Sequence, residues 1–122
     1  MTNPSNTSVE AWLPLKPAWL HILLALAEQE YHAYGVIQAV RERSSGHIRL
    51  ETGPLYRHLK KLMDGGLIEE SANRPKNDDP RRGVYYALTR LGREVVLAEC
   101  RRLEQLVSFT KELGLTSRGR TA

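Results

Sequence analysis

The chain has 122 residues, 41% of them hydrophobic and 26% charged, which fits one soluble globular domain with room for an appended helix. One cysteine, Cys100, rules out an intrachain disulfide and suits a reducing cytoplasm; the start MTNPSNTSVE lacks signal-peptide character, and the longest apolar run, Ala18 to Ala27, falls well short of a membrane span. The net charge of +4 is modest, but Arg41, Arg43, Arg49, Arg57, Lys60 and Lys61 face only Glu42 and Glu51 in one segment, a surplus equal to that of the whole chain.

Residues 1 to about 10 are polar and expected to be disordered. We take residues 1–14 as a flexible arm, in which Trp12 and Leu13 need a surface to pack on. Pro17 is suited to open a helix running from Ala18 to about Glu28. Ala18, Trp19, Ile22, Leu23 and Leu26 form its broad apolar face and Leu20, Leu24 and Ala25 extend round the sides, so it is expected to be buried from more than one direction. His21 reads as an interface histidine satisfied by a partner rather than as a ligand. Gln29 to Ala33 is a short connection to a second helix, from Tyr34 to Ser44, with Ile37 and Val40 inward. Gly35 suggests a close helix–helix approach, and Ser44-Ser45-Gly46 is a stop signal. The alternation of His47 to Leu50 predicts a short strand.

Thr52 to Ile68, TGPLYRHLKKLMDGGLI, is the stretch round which the chain is organised. At a helical repeat of about 100° per residue, Leu55, Leu59 and Leu62 stack on one narrow face, with Arg57 and Lys61 opposite and Tyr56, His58 and Lys60 on the flanks. Like charges at i, i+4 repel in an isolated helix, so the spacing makes sense with an anion lying across that face. Thr52 or Gly53 is the expected N-cap, Pro54 fits the first turn, and Asp64-Gly65-Gly66 ends the helix. A short helix with an apolar underside, a basic outer face and a glycine stop is suited to reading a DNA groove.

Leu67 to Ser71 and Val84 to Leu88 read as paired strands, with Val84, Tyr86 and Leu88 on one face and Tyr85 and Ala87 on the other. Between them, NRPKNDDPRRG is too long and polar for a tight turn and is expected to be a mobile loop carrying Arg74, Lys76, Arg81 and Arg82. Three helices followed by such a hairpin make a winged helix, whose wing reaches phosphates beside the groove. Thr89 is placed to cap a last helix from Arg90 to about Leu113, closed by Gly114. Leu91, Val95, Ala98, Leu106, Phe109 and Leu113 share one side of it, widened by Val96, Leu103 and Val107, in a stripe broader than the roughly 100° that a one-sided helix needs. So small a head cannot cover it alone, and a homodimer is inferred with Leu20 of the first apolar helix contributing. The expected fold is mainly α with a small β-hairpin: a winged helix-turn-helix over residues 15–88, a long C-terminal dimerisation helix over 89–114, and a disordered tail over 115–122.

The histidines and Cys100 show no metal-ligand spacing, Gly65-Gly66 ends a helix rather than cradling a phosphate, and no nucleophile has a base nearby in sequence. No cofactor and no catalysis are expected. Cys100 has only Arg101 beside it to favour a reactive thiolate.

Taken in order, His32-Ala33-Tyr34, Gly53, Leu55 to Lys60, Gly66-Leu67-Ile68, Asp79-Pro80-Arg81-Arg82, Tyr85 to Thr89 and Leu91-Gly92-Arg93 resemble the PadR family of bacterial transcriptional regulators. The likeness runs from about Trp19 to Leu113, and its single C-terminal helix resembles the short subfamily. The family pattern has glycine where this chain has Ala33, a hydroxyl residue just before Leu55, where this chain has Pro54, and commonly a basic residue where it has Ala87. Thr52 stands nearest as a replacement for that hydroxyl. The resemblance implies a dimeric repressor, cytoplasmic and without a membrane partner, relieved by a small aromatic or lipophilic effector at the dimer interface; Trp12, Trp19 and Phe109 would line such a pocket. On this view a two-fold dimer binds a pseudo-palindromic operator in double-stranded DNA. Tyr56, Arg57, Lys60 and Lys61 meet the major groove, while Arg49, Arg74, Arg81 and Arg82 hold phosphates. The alternative from another class is a winged-helix adaptor that binds protein and not DNA.

Overall fold

The computed structural model describes residues 9–72 and 78–116. Its elements in chain order are α1 (Pro17–Glu28), β1 (Tyr31–His32), α2 (Ala33–Arg43), α3 (Thr52–Asp64), β2 (Ile68–Ser71), a 3-10 turn at Pro80–Arg82, β3 (Tyr85–Leu88) and α4 (Arg90–Glu112). Three helices and a small antiparallel sheet with a long C-terminal helix make a winged helix of mainly helical composition.

The core lies where the apolar faces of α1, α2 and α3 meet the sheet and the first half of α4. Ile22 and Leu23 of α1, Val36 and Val40 of α2, and Leu55, Leu59 and Leu62 of α3 are essentially inaccessible, together with Leu67, Ile68 and Val95. Each such side chain contributes roughly 1.5–3 kcal/mol by burial. Because Leu55, Leu59 and Leu62 occupy a single face of α3, their burial also sets which side of that helix turns outward.

The ends of α3 differ in part from expectation. Glu51, not Thr52 or Gly53, is the N-cap, and it makes no side-chain capping bond. Thr52 is already helical and exposed. At the other end Gly65 stays right-handed and Gly66 turns to φ +81°. Gly66 N–H bonds Met63 O at 3.0 Å and Leu67 N–H bonds Leu62 O at 2.9 Å, which satisfies the last carbonyls of the helix.

Three sequence expectations give way here. The Gln29–Ala33 connection contains β1, which pairs antiparallel with β3 in the order β1-β3-β2, Tyr31 opposite Tyr86 and His32 opposite Tyr85. The short strand expected at 47–50 does not form, because Ile48 N–H is taken by the Ser44 hydroxyl at 2.9 Å instead of a ladder partner. Ile48 and Leu50 are half-buried against the core, which accounts for their alternation without a sheet. Gly35 admits the ring of β1's Tyr31, not another helix: a Cβ there would lie 2.9 Å from Tyr31 Cδ1.

As the central strand, β3 is covered on both faces, so its residues do not split into one buried and one exposed set. Tyr86 enters the core, whereas Tyr85 is buried on the other side against His32, ring centroids 5.2 Å apart and nearly perpendicular. Val84 precedes the strand and is exposed.

Thr89 caps α4, accepting from Gly92 N–H at 3.0 Å, while its own N–H bonds Leu67 O at 3.0 Å. The helix covers the core as far as Glu99, its last buried residue, and the half-buried Cys100 next to it. Glu99 is clasped by Arg102 through two hydrogen bonds of 2.7 and 2.8 Å. That guanidinium holds the carboxyl below its ordinary range, helped by the backbone N–H of Leu15. Beyond it the apolar side chains emerge: Leu106 is 49% exposed, Phe109 54% and Leu113 55%.

Candidate nucleic-acid interface

With its leucines buried, α3 turns Tyr56, Arg57, Lys60 and Lys61 to solvent. Lys60 reaches Asp64 one turn on at 3.2 Å with both side chains largely exposed, a pair worth little in water. Arg57 and Lys61 form no ion pair among the described residues. Arg49 is exposed just ahead of the helix, in a shallow cleft shared with Pro17, His47 and His58.

The described end of the wing loop, residues 78–83, is held by hydrogen bonds of its own. Asp79 accepts from the Arg81 backbone N–H at 2.9 Å and caps the 3-10 turn. Its carboxylate also takes the Arg81 guanidinium at 2.9 Å, and Arg82 reaches Asp78 at 3.2 Å. The Tyr85 hydroxyl donates to Asp78 at 2.9 Å, tying this turn to the buried face of β3. A hydrogen bond to Tyr85 and the nearby Asp78 carboxylate favour the charged form of Arg82. The two arginines therefore remain exposed but are already matched by carboxylates of their own loop. Arg74 and Lys76 lie outside the described residues.

Between wing and helix runs a groove of about 1010 Å³ bordered by Tyr34, Tyr56, Arg81 and Arg82. Tyr34, which the sequence places at the start of a helix and in the His32-Ala33-Tyr34 motif, is 62% exposed there. Just ahead of it the His32 side chain caps α2, accepting from Gly35 N–H at 3.0 Å.

The opposite flank of α3 meets the N-terminal segment. Trp19 Nε1 donates to His58 Nδ1 at 3.0 Å, and Trp12 packs edge-on against Trp19 with centroids 5.2 Å apart. Trp12 lies so close on Gly65 that a Cβ there would overlap its indole. Burial depresses the pKa of His58, and the charges of Lys16 and Arg57 depress it further, so the ring is a neutral acceptor. Sequence reasoning missed this contact because Trp19 and His58 are 39 residues apart and neither carries a local signal.

The proposed effector-pocket residues do not assemble within one chain. Trp12 and Trp19 are together and packed on the core, while Phe109 stands on the exposed half of α4. Of the side chains expected at a dimer interface, Val95 is fully buried in the chain's own core and Leu91, Leu20 and Ala98 are half-buried. Only Leu106, Phe109 and Leu113 are broadly open. Cys100 is half-buried against the core. Among the described residues no group of three or more His, Cys, Asp or Glu is arranged to hold a metal, and no helix is long and apolar enough to cross a membrane.

Residues 22–98 match the model of the transcriptional regulator PadR-like family. The fold is similar to that of a transcriptional regulator from Clostridium thermocellum, Cth-833, with a TM-score of 0.63 and 17% identity over 85% of this chain and 94% of that one. It is also similar to a PadR family transcription regulator from hypervirulent Clostridium difficile R20291, with a TM-score of 0.66 and 20% identity over 80% of this chain and 98% of that one. No curated protein matches the chain.

Proposed function

The chain belongs to the PadR-like family of transcriptional regulators, and from that premise we propose that it binds double-stranded DNA sequence-selectively as a homodimer, on a pseudo-palindromic operator, and represses transcription. One observation carries this most: α3 presents Tyr56, Arg57, Lys60 and Lys61 outward while its buried leucines leave it a single orientation. Laid in the major groove, such a helix sets Arg57 toward a guanine edge, where a guanidinium makes two parallel hydrogen bonds. Thr52 and Arg49 stand at its leading end, and the wing arginines exchange their carboxylate partners for phosphates.

The emergence of Leu106, Phe109 and Leu113 beyond the core supports dimerisation through the distal half of α4. An effector pocket of Trp12, Trp19 and Phe109 then requires the phenylalanine of the second copy. Tryptophan quenching with small aromatic compounds tests it, and no saturable response in the dimer would remove the pocket.

The test of DNA binding is fluorescence anisotropy with DNA from upstream of the chain's own gene, against a scrambled duplex, over a range of salt. Tight, selective binding is expected. Equal and weak binding to both, repeated on further promoter fragments, would favour an adaptor that recognises protein.

A further inference from the structure

Among the described residues, the wing arginines have carboxylate partners, whereas a group of cations on the far flank of α3 has none. Arg81 and Arg82 are matched by Asp79 and Asp78. On the other flank of α3, a cleft of about 410 Å³ is bordered by Lys16, Trp19, Arg57, His58 and Lys61, with the Lys60–Asp64 pair at its rim. Lys16, Arg57 and Lys61 make no ion pair among the described residues. Three cations crowd one opening, and two of them already oppose protonation of the histidine between them. A ligand carrying negative charge would relieve that repulsion.

Resting on the DNA-binding reading above, we propose that Lys16, with Lys61, forms a second phosphodiester-binding site on the flank of α3 opposite the wing, beside Arg57, which reads the base edge. Lys16 is held for this role. It is the N-cap of α1, its ammonium lies 4.6 Å from the centre of the Trp19 ring, and that ring is bonded to His58 of α3. The preceding residue, Leu15, is buried. The lysine is therefore positioned relative to the reading helix rather than swinging from a loose arm. The N-terminus of α1 has no side-chain cap and no acidic residue in its first turn, so its dipole adds positive potential at the same place.

The geometry selects the backbone of a duplex as the occupant. Tyr56 and Lys61 are about 140° apart round the α3 axis, Tyr56 toward the wing groove and Lys61 toward Lys16. A helix in the major groove has a sugar-phosphate strand on each side, roughly 12 Å apart. The wing serves one strand and the Lys16 cleft the other.

The experiment is anisotropy binding to a mixed-sequence duplex of 24 base pairs, since a phosphate contact does not depend on sequence. Wild type is compared with Lys16→Gln, Lys16→Arg and Lys111→Gln, the last an equal charge change on the exposed distal part of α4. Lys16→Gln is expected to reduce the slope of log K against log salt by about 0.9 per subunit, about 1.8 for the bound dimer, and to weaken binding about sixtyfold at 0.1 M salt. Lys16→Arg should keep both, and Lys111→Gln should leave the slope unaltered. If wild type binds and Lys16→Gln behaves like Lys111→Gln, the site does not exist. If wild type binds no duplex at any salt, the DNA-binding reading fails and the site with it.

Discussion

Gly92→Ala sets two opposed effects against each other at the joint between α3 and α4. Position 92 lies in the first turn of α4, where alanine is favoured over glycine by about 0.8–1.0 kcal/mol of helix propensity. The structure predicts the opposite sign. A Cβ at residue 92 would lie 2.1 Å from Leu67 O and 3.0 Å from Leu67 C, where separations below 3.4 Å are already tight. Leu67 has little room to withdraw: it is inaccessible, its N–H bonds Leu62 O at 2.9 Å, and its carbonyl accepts from Thr89 N–H at 3.0 Å. Relief needs a shift of at least an ångström in one of the two backbones, and overpacking of this kind costs about 1–3 kcal/mol or somewhat more. The shift also strains the Thr89 cap, worth about 1 kcal/mol, and the Thr89–Leu67 hydrogen bond, worth about 1 kcal/mol net. After propensity is subtracted, a loss of roughly 2–4 kcal/mol is expected, a large part of the 5–15 kcal/mol typical of a domain. Urea denaturation followed by far-ultraviolet circular dichroism measures it, at one fixed protein concentration because a dimer's stability depends on concentration. Thr89→Ala serves as the reference for loss of the cap alone. A Gly92→Ala variant as stable as wild type, or more so, would refute the close approach and leave propensity as the deciding effect.

Arg57→Ala, measured on an operator once one is selected, should lose on the order of 1–3 kcal/mol and relax preference at one base position. An equal loss on every sequence would make Arg57 a phosphate contact only. Phe109→Glu places a charge on the open half of α4, and sedimentation velocity should show a shift from dimer to folded monomer; an unchanged dimer would place the interface elsewhere. Acid titration of stability should proceed in two stages. The folded pKa of His58 lies below its ordinary 6.5, so the unfolded chain binds the extra proton first, and the stability present above about pH 6.5 declines as pH falls toward the folded value. Glu99, also depressed, from 4.5, contributes above that pH and is lost as pH falls through its folded pKa. His58→Gln should flatten the first stage alone, as read by urea midpoints between pH 7.5 and 5.5; a profile identical to wild type would remove His58 from that stage.

The sequence revealed what depends on short-range period and punctuation. The leucine repeat of α3, the Gly66 stop, the Pro17 start and the Thr89 cap all act within four residues of where they are read, and the structure has each. What escaped it depends on partners distant in the chain. β1 has two residues and no period of its own, and it exists only because Tyr31 and His32 lie opposite β3. The expected strand at 47–50 failed for the converse reason, since a real alternation was satisfied by a serine hydroxyl and one-sided packing. For the candidate interface, the outward residues of α3 were legible by elimination once its buried face was known. The pairing of the wing arginines was not, because a count of charges does not say which aspartate reaches which arginine. The Trp12–Trp19–His58 contact was likewise invisible, and it places in a brace two aromatics that had suggested a ligand pocket.

That brace and the Leu67–Gly92 joint together bear on how DNA would be read. α3 is fixed beneath by Leu55, Leu59 and Leu62, at one flank by Trp19 on His58, and at its end by Leu67, whose carbonyl lies against the first turn of α4. The direction of α4 is therefore set by the end of α3, without a flexible linker between them. In the homodimer proposed above, the two distal α4 halves meet each other, so the distance and angle between the two reading helices follow from the rigid path α3–Leu67–Gly92–α4 in each copy. A symmetric binder needs those helices about 34–36 Å apart, one turn of the duplex, or a multiple of it. A substitution at Gly92 mild enough to fold would then act far from any DNA contact. It would change the preferred half-site spacing before it changed the preferred bases, whereas Arg57→Ala would change the bases and leave the spacing alone. Selection on operators with half-sites separated in single base-pair steps distinguishes the two, and a Gly92 variant with unaltered spacing preference would show the joint to be pliant.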